Sequence, residues 1–259
     1  MKSFYFVEES LYTPIVKMSR GSSLLTLIGT IHIGSIDYYQ RLQQEIDRIP
    51  QGFFESIKPI KDKTRVSPRK QKYLELKLDY EPFASFIGLQ PQKTMLKYND
   101  WKNSDISKEE LVESLSINDL RQLCRDGGLL KENVSEDIYN SDPKLAKDLL
   151  YHIFRLIYKH YSIISIFSRS SPEVFLNKRN KIVVKDVVQT FEKEPDQELG
   201  VIYGGGHIPG IVNYLRREDF RRDNVEWIKA VDFNPEDSLL KSLWKLFMHY
   251  HRVDKKETD

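Results

Sequence analysis

Apolar residues recur along this chain with two periods, and the changes from one to the other mark its elements. Phe4 to Val7 and Leu24 to Ile31 read as strands joined through a turn at Arg20-Gly21-Ser22. The second is apolar along nearly its whole length, as a strand buried on both faces is. From Asp37 to Ile49 the period lengthens, with Tyr38, Leu42, Ile46 and Ile49 on one helical stripe that Pro50-Gln51-Gly52 ends. Phe53-Phe54-Glu55 follows as a short strand, completing a βαβ unit that closes on a carboxylate.

Between Lys58 and Lys72 seven basic residues and one acid, Asp62, are interleaved with Pro59 and Pro68, the pattern of a solvated loop opening into a helix. Beyond it the segments to about Tyr139 are mostly amphipathic helices, with one strand expected at Lys93 to Lys97. The stretch from about 58 to 170 reads as a helix-rich insertion within a single domain spanning 1–259.

Leu145 to Phe167 is heavily apolar, but Asp148, His152, Arg155, Lys159 and Ser162 share one helix face, which we expect to meet solvent. His160, close to that stripe, takes the same reading. From Pro172 to Phe191, Leu176, Asn180, Val183, Val187 and Phe191 fall on one face, and Arg179 lies between Phe175 and Ile182. A buried amide without partners costs about 1–3 kcal/mol, so Asn180 either has a local hydrogen bond or points into a polar site.

Leu199 to Tyr203, Ile208 to Arg217 and Val225 to Val231 repeat the strand, helix, strand order, and Pro209 suits a first helical turn. The last helix, Asp237 to about Arg252, puts Leu240, Leu243, Trp244 and Phe247 on one side and Lys241, Lys245, His249 and Arg252 on the other. Its apolar side is left for the body of the fold or for a homodimer contact. The fold class is α/β: a central β-sheet from two related βαβ-containing halves, flanked by helices, with the helix-rich insertion in the middle.

Composition narrows the function. Forty basic residues against 38 acidic ones leave a net charge of +2, too even for a nucleic-acid binder. The one cysteine, Cys124, has no partner for a disulfide, which points to a reducing, cytoplasmic setting. Acidic Glu8 and Glu9 interrupt the start of the chain before a signal-peptide core of about 7–15 apolar residues can form. No window approaches the roughly 18 uninterrupted apolar residues of a membrane span.

Two apolar strands each run into Gly-x-x-His, at Gly29-Thr30-Ile31-His32 and at Gly204-Gly205-Gly206-His207. Glycine lets the backbone leave the sheet sharply or approach a ligand closely, so Gly29, Gly204, Gly205 and Gly206 are candidate substrate-binding positions. Strand ends are where open α/β sheets place their ligands. Glu55 ends its own strand, so His32, Glu55 and His207 are candidates for one crevice. Two imidazoles and a carboxylate form a ligand set that catalytic divalent metals use for hydrolysis. The same trio also serves without a metal, a histidine acting as general base and Glu55 setting its tautomer and charge. No dinucleotide fingerprint, P-loop or Gly-x-Ser-x-Gly elbow is present.

Gly29-Thr30-Ile31-His32-Ile33-Gly34-Ser35, Glu55 after its strand, Arg179-Asn180, and Gly204-Gly205-Gly206-His207-Ile208-Pro209-Gly210 together resemble the motifs of the TraB/PrgY/GumN family, to which the Tiki proteases are related. The resemblance implies an α/β core of two related halves, as in erythromycin esterase-like and ChaN-like proteins. It implies a peptidase-like centre at the two Gly-x-x-His motifs and the glutamate, dependent on Mn²⁺ or Co²⁺ in the Tiki branch. Arg179 and Asn180 become supporting or substrate-anchoring groups. The expected function is a metal-dependent hydrolase acting on a peptide or small molecule. The alternative is a protein that sequesters such a ligand in the same pocket.

Overall fold

The computed structural model describes residues 1–75, 81–121, 142–159, 173–233, 235–236 and 238–256. Its elements run β1 (Tyr5–Val7), β2 (Ser10–Arg20), β3 (Ser23–Thr30), β4 (Ile33–Gly34), α1 (Ile36–Arg48), β5 (Gly52–Phe54), α2 (Glu81–Phe86), β6 (Gln90–Pro91), α3 (Gln92–Met95), β7 (Lys102–Asn103) and α4 (Lys108–Ser114). Then come α5 (Pro143–Lys159), α6 (Arg179–Lys193), β8 (Glu198–Gly204), α7 (Ile208–Arg216), β9 (Arg221–Asp232) and α8 (Leu239–Lys256).

Seven strands form one mixed sheet. Across it the order is β9, β2, β3, β8, β5, β7, with β1 continuing along the β3 edge of β2. From β3 to β7 the neighbours are parallel, whereas β2 is antiparallel to both β3 and β9. The βαβ unit read from the sequence is present, but β8 lies between its two strands.

Period-two alternation sends side chains to two layers. On one face Leu11, Ile15, Ile28 and Ile202 cluster with Tyr38, Tyr39, Leu42 and Ile46 of α1. On the other, Val16, Leu25, Leu27 and Val201 cluster with Val183 and Val187 of α6 and Ile211 and Leu215 of α7. Helices on both faces bury parallel strands completely, which is why β3 and β8 read as continuous apolar runs. Trp101 is seated on the sheet across Gly52 and Gly200, because a Cβ at either glycine would fall inside its indole.

Three expectations are corrected. The segment between the first two predicted strands is itself an 11-residue strand, β2, at the centre of the sheet's antiparallel side. Pro14 disguises it, since proline is rare in a central strand. Here the ring packs where Gly29 lacks a side chain, a Cβ there lying 2.9 Å from Pro14 Cδ. No strand forms at Lys93 to Lys97, where Gln92–Met95 is a helical turn; the strand is Lys102–Asn103, too short to show a period.

The polar stripe of α5 turns inward rather than outward. Asp148 and His152 are buried, while Ile153 and Leu156 are exposed. Asp148 Oδ1 accepts the Glu236 backbone N–H at 3.1 Å, and the partly exposed Arg155 pairs with Glu9 at 2.7 Å, so these side chains tie α5 to neighbouring segments. His160, Ser162 and Cys124 lie outside the described residues, as do the side chains of Lys159, Phe247, His249 and Arg252. On α8, Leu240, Leu243 and Trp244 are exposed. No described helix is long and apolar enough to cross a membrane.

Candidate functional site

The four parallel strands β3, β8, β5 and β7 all point their C-terminal ends to one edge of the sheet, and each is followed within three residues by an ionisable side chain. His32 follows β3, His207 follows β8, Glu55 follows β5 and Asp105 follows β7. Backbone bonds fix the loops that carry them. Gly205 N–H donates to Thr30 C=O at 2.7 Å, tying the two Gly-x-x-His turns together, and Gln92 N–H donates to His32 C=O at 2.8 Å. The first residues of α6, Arg179 and Asn180, enter from the face covered by α6 and α7 and complete the cluster.

Arg179 is the hub. Its Nε and Nη2 donate to Asp105 Oδ1 and Oδ2 at 2.8 and 2.7 Å, a bidentate pair in which both groups are buried. Nη2 also donates to Glu55 Oε1 at 2.5 Å, and Nη1 lies 3.4 Å from His207 Nε2. Burial alone lowers the pKa of a guanidinium, but Glu55 and Asp105 more than offset that and push it up.

His207 has a defined tautomer. Nδ1–H donates to Asn180 Oδ1 at 2.7 Å, leaving the Nε2 lone pair to face Arg179 and, at 3.6 Å, Glu55 Oε1. Asn180 reaches it because Gly210 has no Cβ, which would overlap the Asn180 amide. Tyr203 sets its ring edge-on to the imidazole at 5.3 Å and donates its hydroxyl hydrogen to Ser104 C=O. Burial pushes the His207 pKa down to about 4, against the pull of Glu55 in the other direction, so the ring is neutral at pH 7.

Glu55 is held ionised. Burial would raise its pKa, yet the opposing charges and the Gly204 N–H donated to Oε2 bring it down to about 2. At pH 7, where His207 is uncharged, Arg179 and that N–H are what stabilise the carboxylate. His32, at the same edge, is exposed. Its pKa is lowered by desolvation and by Arg179, with Glu55 opposing, so it too is a neutral base at pH 7.

His32, Glu55, His207, Arg179 and Asn180, all legible in the sequence, therefore meet at one edge. Of the glycines, Gly204 belongs to the centre through its N–H. Gly29 is accounted for by the Pro14 ring and Gly205 by Phe4, whose Cε1 lies 2.6 Å from the Cβ position. Gly206 lies in the turn before His207, partly exposed. Sequence reasoning missed Asp105, which follows a strand of two residues, and also Gln92, which carries no motif.

A metal needs lone pairs that point at it. Glu55 Oε1 and His207 Nε2, 3.6 Å apart, are spaced as two ligands of one ion, but Arg179 already faces both. Among the described residues no three His, Cys, Asp or Glu side chains form a group that holds a metal. As placed, the Arg179 guanidinium is the cation that those two lone pairs face.

Compared with models of known protein families, with curated proteins and with solved structures, the chain matches none of them.

Proposed function

We propose that this chain is a hydrolase that activates water at the His32, Glu55, Arg179 and His207 centre, acting on an amide or ester carbonyl of a peptide or small molecule. One observation carries the reading: an exposed imidazole, His32, stands at the same sheet edge as a guanidinium whose orientation Asp105 fixes. In this reading His32 takes a proton from water as the water oxygen bonds to the carbonyl carbon. The C=O electron pair moves onto oxygen, toward Arg179. When the pair returns, the bond to the leaving nitrogen or oxygen breaks, and that atom takes the proton from His32. Glu55 favours the transient imidazolium, while Asn180 and His207 keep the guanidinium and carboxylate in register.

The TraB/PrgY/GumN resemblance supports the same reaction class. Cys124, with no second cysteine to pair with, fits a cytoplasmic enzyme. A metal-assisted version is the second reading, and charge favours it: two carboxylates surround one guanidinium, leaving a negative charge uncompensated. Elemental analysis of purified protein tests it, with stoichiometric Mn or Co lost in both His32→Ala and His207→Ala as its expected result.

The hydrolase reading is tested by incubating wild type and His32→Ala with a mixed peptide library and p-nitrophenyl acetate, with products read by mass spectrometry. Product from wild type alone supports it. A tight complex recovered intact without product supports capture in the same pocket instead.

A further inference from the structure

Tyr98 is joined to the centre by a directional chain of hydrogen bonds. Thr30, the last residue of β3, donates its hydroxyl hydrogen to Gln92 Oε1 at 3.2 Å, which fixes the amide so that Nε2 faces away. Nε2 donates to the Tyr98 hydroxyl oxygen at 3.0 Å. A phenol that accepts from an amide keeps its own hydrogen for another acceptor. Among the described residues nothing takes that hydrogen.

The ring is positioned as firmly as the hydroxyl. It stacks on Phe54, the residue before Glu55, with centroids 4.6 Å apart and planes 8° from parallel. Gln92 also holds the His32 carbonyl, so a single residue sets both the loop of His32 and the direction of the Tyr98 hydroxyl. The side chain is half-buried. Burial and the nearby Glu55 charge push its pKa up and keep the phenol protonated, despite the Gln92 bond acting the other way.

The geometry points to Tyr98 as a catalytic residue whose hydroxyl donates a hydrogen bond to the substrate oxygen that gains charge as water adds. This rests on the hydrolase reading. Arg179 is shared between two carboxylates, so a second, neutral donor supplies what the guanidinium gives only in part. Removing one such donor lowers kcat by roughly 100- to 1,000-fold where it has been isolated by mutation.

The test uses the full chain and p-nitrophenyl acetate, with the peptide library in parallel. Tyr98→Phe keeps the Phe54 stack and is expected to lower kcat about 100-fold with KM changed less than about twofold. Gln92→Met, which frees the hydroxyl to rotate, is expected to lower kcat by a smaller factor; it also decides the matter if Tyr98→Phe loses its native thermal transition. Wild-type kcat in Tyr98→Phe, or a rise in KM alone, overturns the assignment while inactive His32→Ala leaves the hydrolase standing. If wild type cleaves neither probe, both fall together.

Discussion

Arg179 and Asp105, both buried, meet through two parallel hydrogen bonds of 2.8 and 2.7 Å at the edge where four parallel strands end. This pair decides where the Arg179 guanidinium points, and so which lone pairs of Glu55 and His207 it faces. Fork-to-fork geometry of this kind fixes direction as well as contributing energy.

Asp105→Asn keeps the shape of the side chain and removes its charge. It leaves a buried cation with Glu55 as its one anionic partner. Losing the charge on one of its two anionic partners costs about 1.5–3 kcal/mol, measurable as a fall in unfolding free energy by urea titration. A loss below about 1 kcal/mol would show that the pair does not hold the centre together.

Acid should destabilise the protein in two successive windows. His207 is held at about 4 in the fold against an ordinary 6.5, so between those values the unfolded chain binds a proton that the folded chain does not. Stability therefore falls as pH drops from about 6.5 to about 4. Glu55, held at about 2 against 4.5, continues the fall below 4.5 by the same sign. His207→Gln flattens part of the upper window and Glu55→Gln the lower. A stability curve that is level from pH 7 to 4 would contradict the burial of a neutral His207.

Gly210 is conformationally ordinary and matters for the space it leaves to the Asn180 amide. Gly210→Ala is expected to push that amide off His207 and lower turnover on the order of 10- to 100-fold, the usual scale for a partner of a catalytic side chain. Asn180→Ala should do the same. Because both act through one hydrogen bond, the double variant should lose little more than either single one. Simple additivity of the two losses would place the effect of Gly210 elsewhere.

Gly200→Ala tests the sheet rather than the site. Its methyl would enter the ring of Trp101, which is pinned between adjacent strands and bonded to Ile49 C=O. Overpacking of this kind costs about 1–3 kcal/mol. Urea titration with Trp fluorescence reads it directly, and a change within about 0.5 kcal/mol would mean that the indole moves aside freely.

Much of this was legible beforehand because the signals were periodic. Tyr38, Leu42 and Ile46 marked α1; Val183, Val187 and Phe191 marked α6, with Asn180 as the one polar interruption of that stripe; the glycines marked the ends of β3 and β8. What escaped notice had a physical reason each time. β2 was hidden by Pro14, which is tolerated only because Gly29 lies opposite. Asp105 and Tyr98 stand after and before a two-residue strand, where no period develops, and their roles come from partners far away in the chain: Arg179 for one, Gln92 and Phe54 for the other. His152 and Asp148 showed a regular stripe that was read outward, because spacing fixes a face but not the side that meets water.

In the proposed reaction His32 activates water in the company of Arg179 and Glu55. Its most direct test is hydrolysis of the mixed peptide library and p-nitrophenyl acetate in H₂¹⁸O, comparing wild type with His32→Ala. One ¹⁸O in the product carboxylate with wild type and no turnover with the folded variant are expected. Full activity in His32→Ala, or product formed without solvent oxygen, would contradict it.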